Sequence, residues 1–257
     1  MFSESDVAAI AELRPKEVAI SLYGADAFGH DAVTGSRGSY DRTIASIKAL
    51  RDRDVPVRIS SVLMAETIDG FVPLRDLAES LGCDFRFDPT VTPREDGSLD
   101  VLRHRVGIDE LRAFYLDEVV LPRSREGAVV THGPSPAQDR ATKVTGNCSA
   151  GFTTATIEAG GDVVPCPGFH PSFGSVASRR FADVWQGTAA ETHRERMDAP
   201  LHECVQCDLL PYCTVRCPKL AQLEGKDLSD RFDRACELAA MVKDMRERWL
   251  VSAGRSG

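Results

Sequence analysis

Long apolar runs are missing from this sequence. Hydrophobic residues make up 42% of its 257 positions, yet no stretch approaches the roughly 20 apolar residues that a bilayer-spanning helix needs. An excess of positive charge is missing too. Lys and Arg number 31 against 39 Asp and Glu, for a net charge of −8. A protein that grips nucleic acid needs a basic face for phosphate, so neither nucleic acid nor membrane is expected as a partner. The first residues, Met1 to Pro15, lack the basic and apolar regions of a secretion signal, and a cytoplasmic location is expected. Upstream of residue 148 the chain is nearly free of cysteine, with Cys83 alone. There is no internal repeat.

What is abundant is cysteine in the C-terminal part: Cys148, Cys166, Cys204, Cys207, Cys213, Cys217 and Cys236. The dense segment CVQCDLLPYCTVRC has gaps of two, five and three residues. Independent core cysteines, which behave as small hydrophobes, would not cluster this way. That reading suits Cys83, which stands alone at the start of an apolar strand. An odd count and a cytoplasmic profile argue against disulfides. Soft thiolates select zinc, Cu(I) or iron–sulfur clusters. Seven cysteines exceed one tetrahedral zinc site and fall one short of two. His170 and His202 are near but not at the usual zinc spacing. Iron–sulfur clusters tolerate an incomplete thiolate set, so they are favoured, with zinc kept as the alternative.

Before the cysteines, helical and strand patterns alternate. SESDVAAIAELR reads as a helix ending before Pro15, and EVAISLYG as a buried strand closed by Gly24. SYDRTIASIKALRDRD reads as an amphipathic helix with Ser39 as its cap. VPVRISSVLM is a second strand, PLRDLAESLG a helix stopped by Gly82, CDFRFDP a third strand and DELRAFYLDEVVL a further helix. This alternation predicts an α/β fold with a parallel sheet, whose strand C-terminal ends build the active face. Only three strands are visible, which is few for a barrel. Residues 122–147, rich in Pro, Gly and charge, read as a linker. The expected organisation is a half-barrel over 1–121, the linker over 122–147 and a cysteine-rich domain over 148–257. In the last, FTTATIEAGGDVVPC reads as a β-hairpin around Gly160 and Gly161, FADVWQGTAAETHRERM as a short helix followed by a charged one, and SDRFDRACELAAMVKDMRERWL as a long helix carrying Cys236. Phe181 and Trp185 are expected in the core.

The cysteine pattern resembles the SPASM extension of radical S-adenosylmethionine (SAM) enzymes. Cys148, twelve residues, Gly161, four residues and Cys166 match the first part of that signature. Cys204, Cys207, Cys213 and Cys217 match the second, and Cys236 completes it. The segment from Ile20 to Leu63 is similar to the fourth and fifth strands of a radical SAM partial barrel, through Ser21, Gly24, His30, Asp31, Thr34, Gly35, Gly38 and Ser39. FRFDPTVTPREDGS resembles the sixth strand and its loop in the branch that modifies ribosomally made peptides.

The resemblance implies two auxiliary iron–sulfur clusters, of the 4Fe–4S type. Cys148, Cys166 and Cys217 would hold the first; Cys204, Cys207, Cys213 and Cys236 would hold the second. It implies a peptide or protein substrate, an electron donor such as a flavodoxin or ferredoxin, and Ser21 as a SAM contact, although a strand-end hydroxyl also caps backbone. In the sulfatase-maturing branch an Asp follows the second cysteine; here Pro167 stands there, which speaks against that activity. The Cys-x3-Cys-x2-Cys motif that holds the SAM cluster does not occur in this sequence. SAM and a third cluster are therefore expected only with a further N-terminal segment. The chain reads as the C-terminal portion of such an enzyme, a truncated frame rather than a decayed remnant, and inactive in SAM cleavage by itself. The alternatives are a stand-alone iron–sulfur electron carrier or binding module, and a structural zinc domain. His30 and Asp31 read as turn and helix-capping residues. Arg58, Arg86 and Asp88 fall on or beside strands, where a charge needs a partner or a polar lumen.

Overall fold

The structure, a computed structural model, describes residues 2–117, 148–213 and 217–253. The chain divides into two compact units. One comprises Met1–Thr92 and Val101–Pro122, the other Pro93–Asp100 and Arg123–Gly257. The short segment Pro93–Asp100 thus groups with the cysteine-rich part.

The first unit is built on a parallel sheet in the order β1 (Val18–Ser21), β2 (Val57–Val62), β3 (Asp84–Asp88). Helix α1 (Glu4–Leu13) precedes it, capped by Ser3 and Asp6 in a reciprocal box and ended at Arg14 in the left-handed region. Between β1 and β2 run α2 (Ala27–Thr34) and α3 (Ser39–Arg51). Helix α4 (Phe71–Ser80) connects β2 to β3, and α5 (Ile108–Leu116) follows. The alternating α/β pattern and the three parallel strands are those read from the sequence. Helix α2 was not anticipated: its AFGHDAVT sequence is short and carries a glycine, so it gives little periodic signal. The remainder of the helix expected at DELRAFYLDEVVL, and the linker at 122–147, lie outside the described residues.

Side chains alternate across a strand, and here the alternation separates a dry face from a wet one. Register pairs Ile20 with Ile59 and Phe85, and Ser61 with Phe87, on one face. That face packs on a core of Val7, Leu22, Ile47, Leu50, Val57, Ile59, Leu74 and Ala78, with Cys83 at its edge. Phe71 meets Phe85, Phe87 and Phe114 edge-on at 5.4, 5.0 and 4.8 Å. Such aromatic contacts add to the area they bury. The opposite face carries the rows Ala19–Arg58–Asp84 and Ser21–Ser60–Arg86, then Val62 beside Asp88. Arg58 forms an ion pair with Glu17 at 2.7 Å, which answers the need for a partner.

The second unit holds an antiparallel sheet of β4 (Thr156–Ile157), β5 (Asp162–Val164) and β6 (Gly174–Ser175). The expected hairpin is present. Its turn closes through Gly161 N–H to Glu158 O and Glu158 N–H to Asp162 O, each 2.8 Å, with Gly161 at φ +89°. Strand β6 was not anticipated, because its two residues include Gly174 at φ +130°. Helices α6 (Phe181–Trp185) and α7 (Thr188–Asp198) follow as expected. Phe181 is no core residue: it is 45% exposed and stacks on Trp185 at 5.9 Å, because a five-residue helix buries only one side. Short helix α8 (Pro218–Leu223) precedes α9 (Asp233–Ala253), which carries Cys236.

Candidate metal centre

Each cysteine of the C-terminal unit sits where local backbone bonding fixes its Cα. Cys148 opens a tight turn in which the N–H groups of Phe152, Thr153 and Thr154 all reach Ser149 O. Helix α7 clasps that turn. Arg194 donates from Nε to Gly151 O and from Nη2 to Trp185 O, both at 2.8 Å, and its guanidinium lies 4.6 Å over the Trp185 ring. His193 is buried, with Nε2 3.5 Å from Ala150 O and its ring against Phe169 and Phe173. Burial pushes its pKa down, against the opposing pull of that carbonyl; Arg194 and Arg196 lower it further. Gly151 makes this approach possible. At φ +79°, a Cβ there would stand 2.5 Å from His193 Cδ2.

Cys166 follows β5, and its carbonyl receives Phe169 N–H at 3.0 Å. Burial pushes its thiol up to about 11. Lys219 opposes this, and Cys217 and Cys148 add to it. Both other cysteines of the expected first set thus act on Cys166. Cys217 is the N-cap residue of α8, and Lys219 of the same helix donates Nζ–H to Pro167 O, next to Cys166.

The expected second set is strung along turns. Cys204 N–H bonds Leu201 O, Cys207 N–H bonds Cys204 O and Cys213 N–H bonds Leu210 O. Cys204 is buried among Phe169, Met197, Leu201 and Leu228. Cys213 and Cys217 pack against Leu220, Ala221, Phe232 and Ala235, and the last of these precedes Cys236. The turn Leu210–Tyr212 packs on α9, where Arg246 stands 5.9 Å from the Tyr212 ring centroid. All eight cysteines are free thiols.

Soft thiol donors suit a shared cationic centre, which lets them ionise. Among the described residues no three His, Cys, Asp or Glu side chains gather as the ligands of a single metal ion. A polynuclear cluster spreads its ligands over several irons, and the donor chemistry of Cys148, Cys166 and Cys217 fits such a group. His170 is exposed.

In the first unit, Ser21 ends β1 on the wet face beside Ser60. His30 is buried and accepts Tyr23 N–H at Nδ1, 3.1 Å; burial pushes its pKa down while Asp31 pulls it up. Asp31 accepts Gly38 N–H at 2.5 Å, Ser39 Oγ–H at 2.8 Å and Tyr40 N–H at 2.9 Å. These bonds, led by the one from Tyr40, hold its carboxyl below the usual value. Asp31 therefore caps α3 from the preceding helix. Ser39 is the first helical residue rather than the cap, and Gly38 takes the cap position at φ +74°. Past the C-terminal end of β2, Glu66 meets His104 Nδ1 at 2.5 Å, a pair separated too widely in sequence to be anticipated.

Residues 148–208 match the SPASM iron–sulfur cluster-binding domain. In sequence the chain is similar to the AdoMet-dependent heme synthase of Methanosarcina barkeri, 24% identical over 206 residues, covering 71% of this chain and 56% of that one. It is similar also to the AdoMet-dependent heme synthase of Nitratidesulfovibrio vulgaris, 21% identical, covering 76% and 58%. It thus spans a little over half the length of these relatives. In fold it is similar to anSMEcpe with bound AdoMet and Cp18Cys peptide, with a TM-score of 0.63, 12% identity, and coverage of 100% of this chain and 74% of that one. The Streptococcus suis SuiB structure bound to S-adenosylmethionine gives a TM-score of 0.64 at 19% identity, covering 93% and 58%.

Proposed function

We propose that this chain, a SPASM iron–sulfur domain joined to a sheet of the radical SAM fold, is the cluster-bearing portion of an enzyme that modifies a peptide or protein by radical chemistry. The observation that carries the reading is the SPASM match over 148–208, together with the bond from Lys219 to Pro167 O that ties the helix beginning at Cys217 to the segment carrying Cys166. These three would hold a first auxiliary cluster, and Cys204, Cys207, Cys213 and Cys236 a second. Bound clusters supply one-electron transfer. The protein's own residues fix the ligands through turns, exclude water from Cys204 with Phe169 and Leu201, and leave a polar sheet face. On that face Ser21, Ser60 and Arg86 share a row suited to the hydroxyl and carboxylate groups of SAM. A flavodoxin or ferredoxin is the class of electron donor such clusters accept. Peptide as substrate is supported by the fold neighbour that holds one. A second reading, a step in heme synthesis, is favoured by the relatives closer in sequence.

Anaerobic reconstitution with iron and sulfide tests the reading. About eight irons and eight sulfides per chain are expected for two four-iron clusters, with about half of each lost on joint Cys166→Ala and Cys217→Ala replacement. Colourless protein carrying stoichiometric zinc would sink it.

A further inference from the structure

One lysine links two of the segments that bring the first cysteine set together. Lys219 lies on α8 two residues after Cys217. Its ammonium donates to Pro167 O, the carbonyl adjacent to Cys166. The bond spans 52 positions of sequence and joins the end of the β5 segment to the start of α8. The Cys166 sulfur lies 3.9 Å from the same Pro167 O, so the ammonium and the sulfur converge on one carbonyl. The lysine makes no ion pair among the described residues' salt bridges, so its positive charge is not cancelled by a bonded carboxylate there.

A metal ligand is tuned by the groups that orient it and by the charge next to it. For iron–sulfur clusters, net charge, hydrogen bonding and solvent exposure set the reduction potential. A fixed cation beside a ligand sulfur stabilises the more negative, reduced state and so raises the potential. Lys219 meets both conditions: it ties the carbonyl after Cys166 to the helix that begins at Cys217, and it brings a cation to the carbonyl that the Cys166 sulfur also approaches.

Resting on the reading of Cys148, Cys166 and Cys217 as ligands of one cluster, we propose that Lys219 is a positioning residue that ties two of its ligand segments together and raises its reduction potential.

The test uses the full chain, reconstituted anaerobically with iron and sulfide, in parent, Lys219→Gln and Lys219→Arg forms. Iron and sulfide are counted, and the midpoint potential of each cluster is measured by redox titration followed by electron paramagnetic resonance. Lys219→Gln is expected to move one cluster to more negative potential and leave the other unchanged. Lys219→Arg, which keeps the cation, is expected to restore the parent value. The proposal is overturned if Lys219→Gln keeps both its iron and both parent potentials. It is equally overturned if the Gln and Arg forms lose iron alike, since the lysine would then only fill space. Failure of the parent to take up iron would overturn the cluster reading itself, an outcome told apart because it appears before any variant is compared.

Discussion

At the scale of single residues, the sharpest constraint is Gly151. Its backbone is left-handed, and the space a Cβ would occupy is filled by the His193 ring. Gly151→Ala is expected to destabilise the C-terminal unit by about 1–3 kcal/mol, the usual cost of forcing atoms into a packed site. Thermal denaturation of the chain would register it, and cluster uptake should fall with it, since the displaced turn holds Cys148. His30 supplies a pH prediction. Its folded pKa is lowered, so the folded state binds a proton less readily than the unfolded chain. The stability tied to its neutral form is complete above the unfolded value of about 6.5 and is lost as pH falls toward the folded value. Hydrogen exchange of the segment around Tyr23 and His30 should therefore speed up on going from about pH 7 to about pH 5. Replacing His30 with Asn should flatten that dependence.

At the scale of elements, helix α3 begins because a residue from the element before it reaches over. Asp31→Ala removes the acceptor for Gly38, Ser39 and Tyr40 together, and should lower the melting temperature of the N-terminal unit. Asp31→Asn, which keeps one acceptor oxygen, should lower it less. The sequence made Asp31 a sensible capping residue, but gave the cap of α3 to Ser39, which is instead its first helical residue, since a cap is ordinarily sought in the immediate neighbourhood of the helix start. Contacts across seven to nine residues leave no local pattern. The same limit hid Arg194 and His193: the sequence shows only a charged helix there, and their job lies on a turn 43 residues away. Strands β1 to β3 were legible because Val18–Ser21, Val57–Val62 and Asp84–Asp88 are short apolar or alternating runs bounded by helical patterns. The seven cysteines were legible because soft donors at fixed gaps carry chemistry in their spacing alone. Lys219 was not, because nothing in a Cys-Pro-Lys stretch says which carbonyl the amine will find.

At the scale of the whole molecule, each unit has packed groups of its own. The first packs its sheet on Leu50, Ile59 and Leu74; the second packs Phe169, Met197 and Leu201 in one group and Val163, Phe173 and Val184 in another. The metal-ligand candidates all belong to the second. Metal binding to such a site contributes directly to folding free energy. Stripping iron with a chelator is therefore expected to increase hydrogen exchange over 148–213 and 217–253 while leaving the amides of β1 to β3 protected as before. Equal loss of protection in both parts would contradict this.

The grip of α7 on the Cys148 turn carries a practical consequence. Arg194 and His193 hold carbonyls, not sulfur, so altering either one changes no donor atom. A substitution on that outer helix would nonetheless be read out as colour and magnetism, by way of the backbone it steadies. Spectra of the bound irons would thereby serve as a gauge of strain in a helix that supplies none of the seven cysteines.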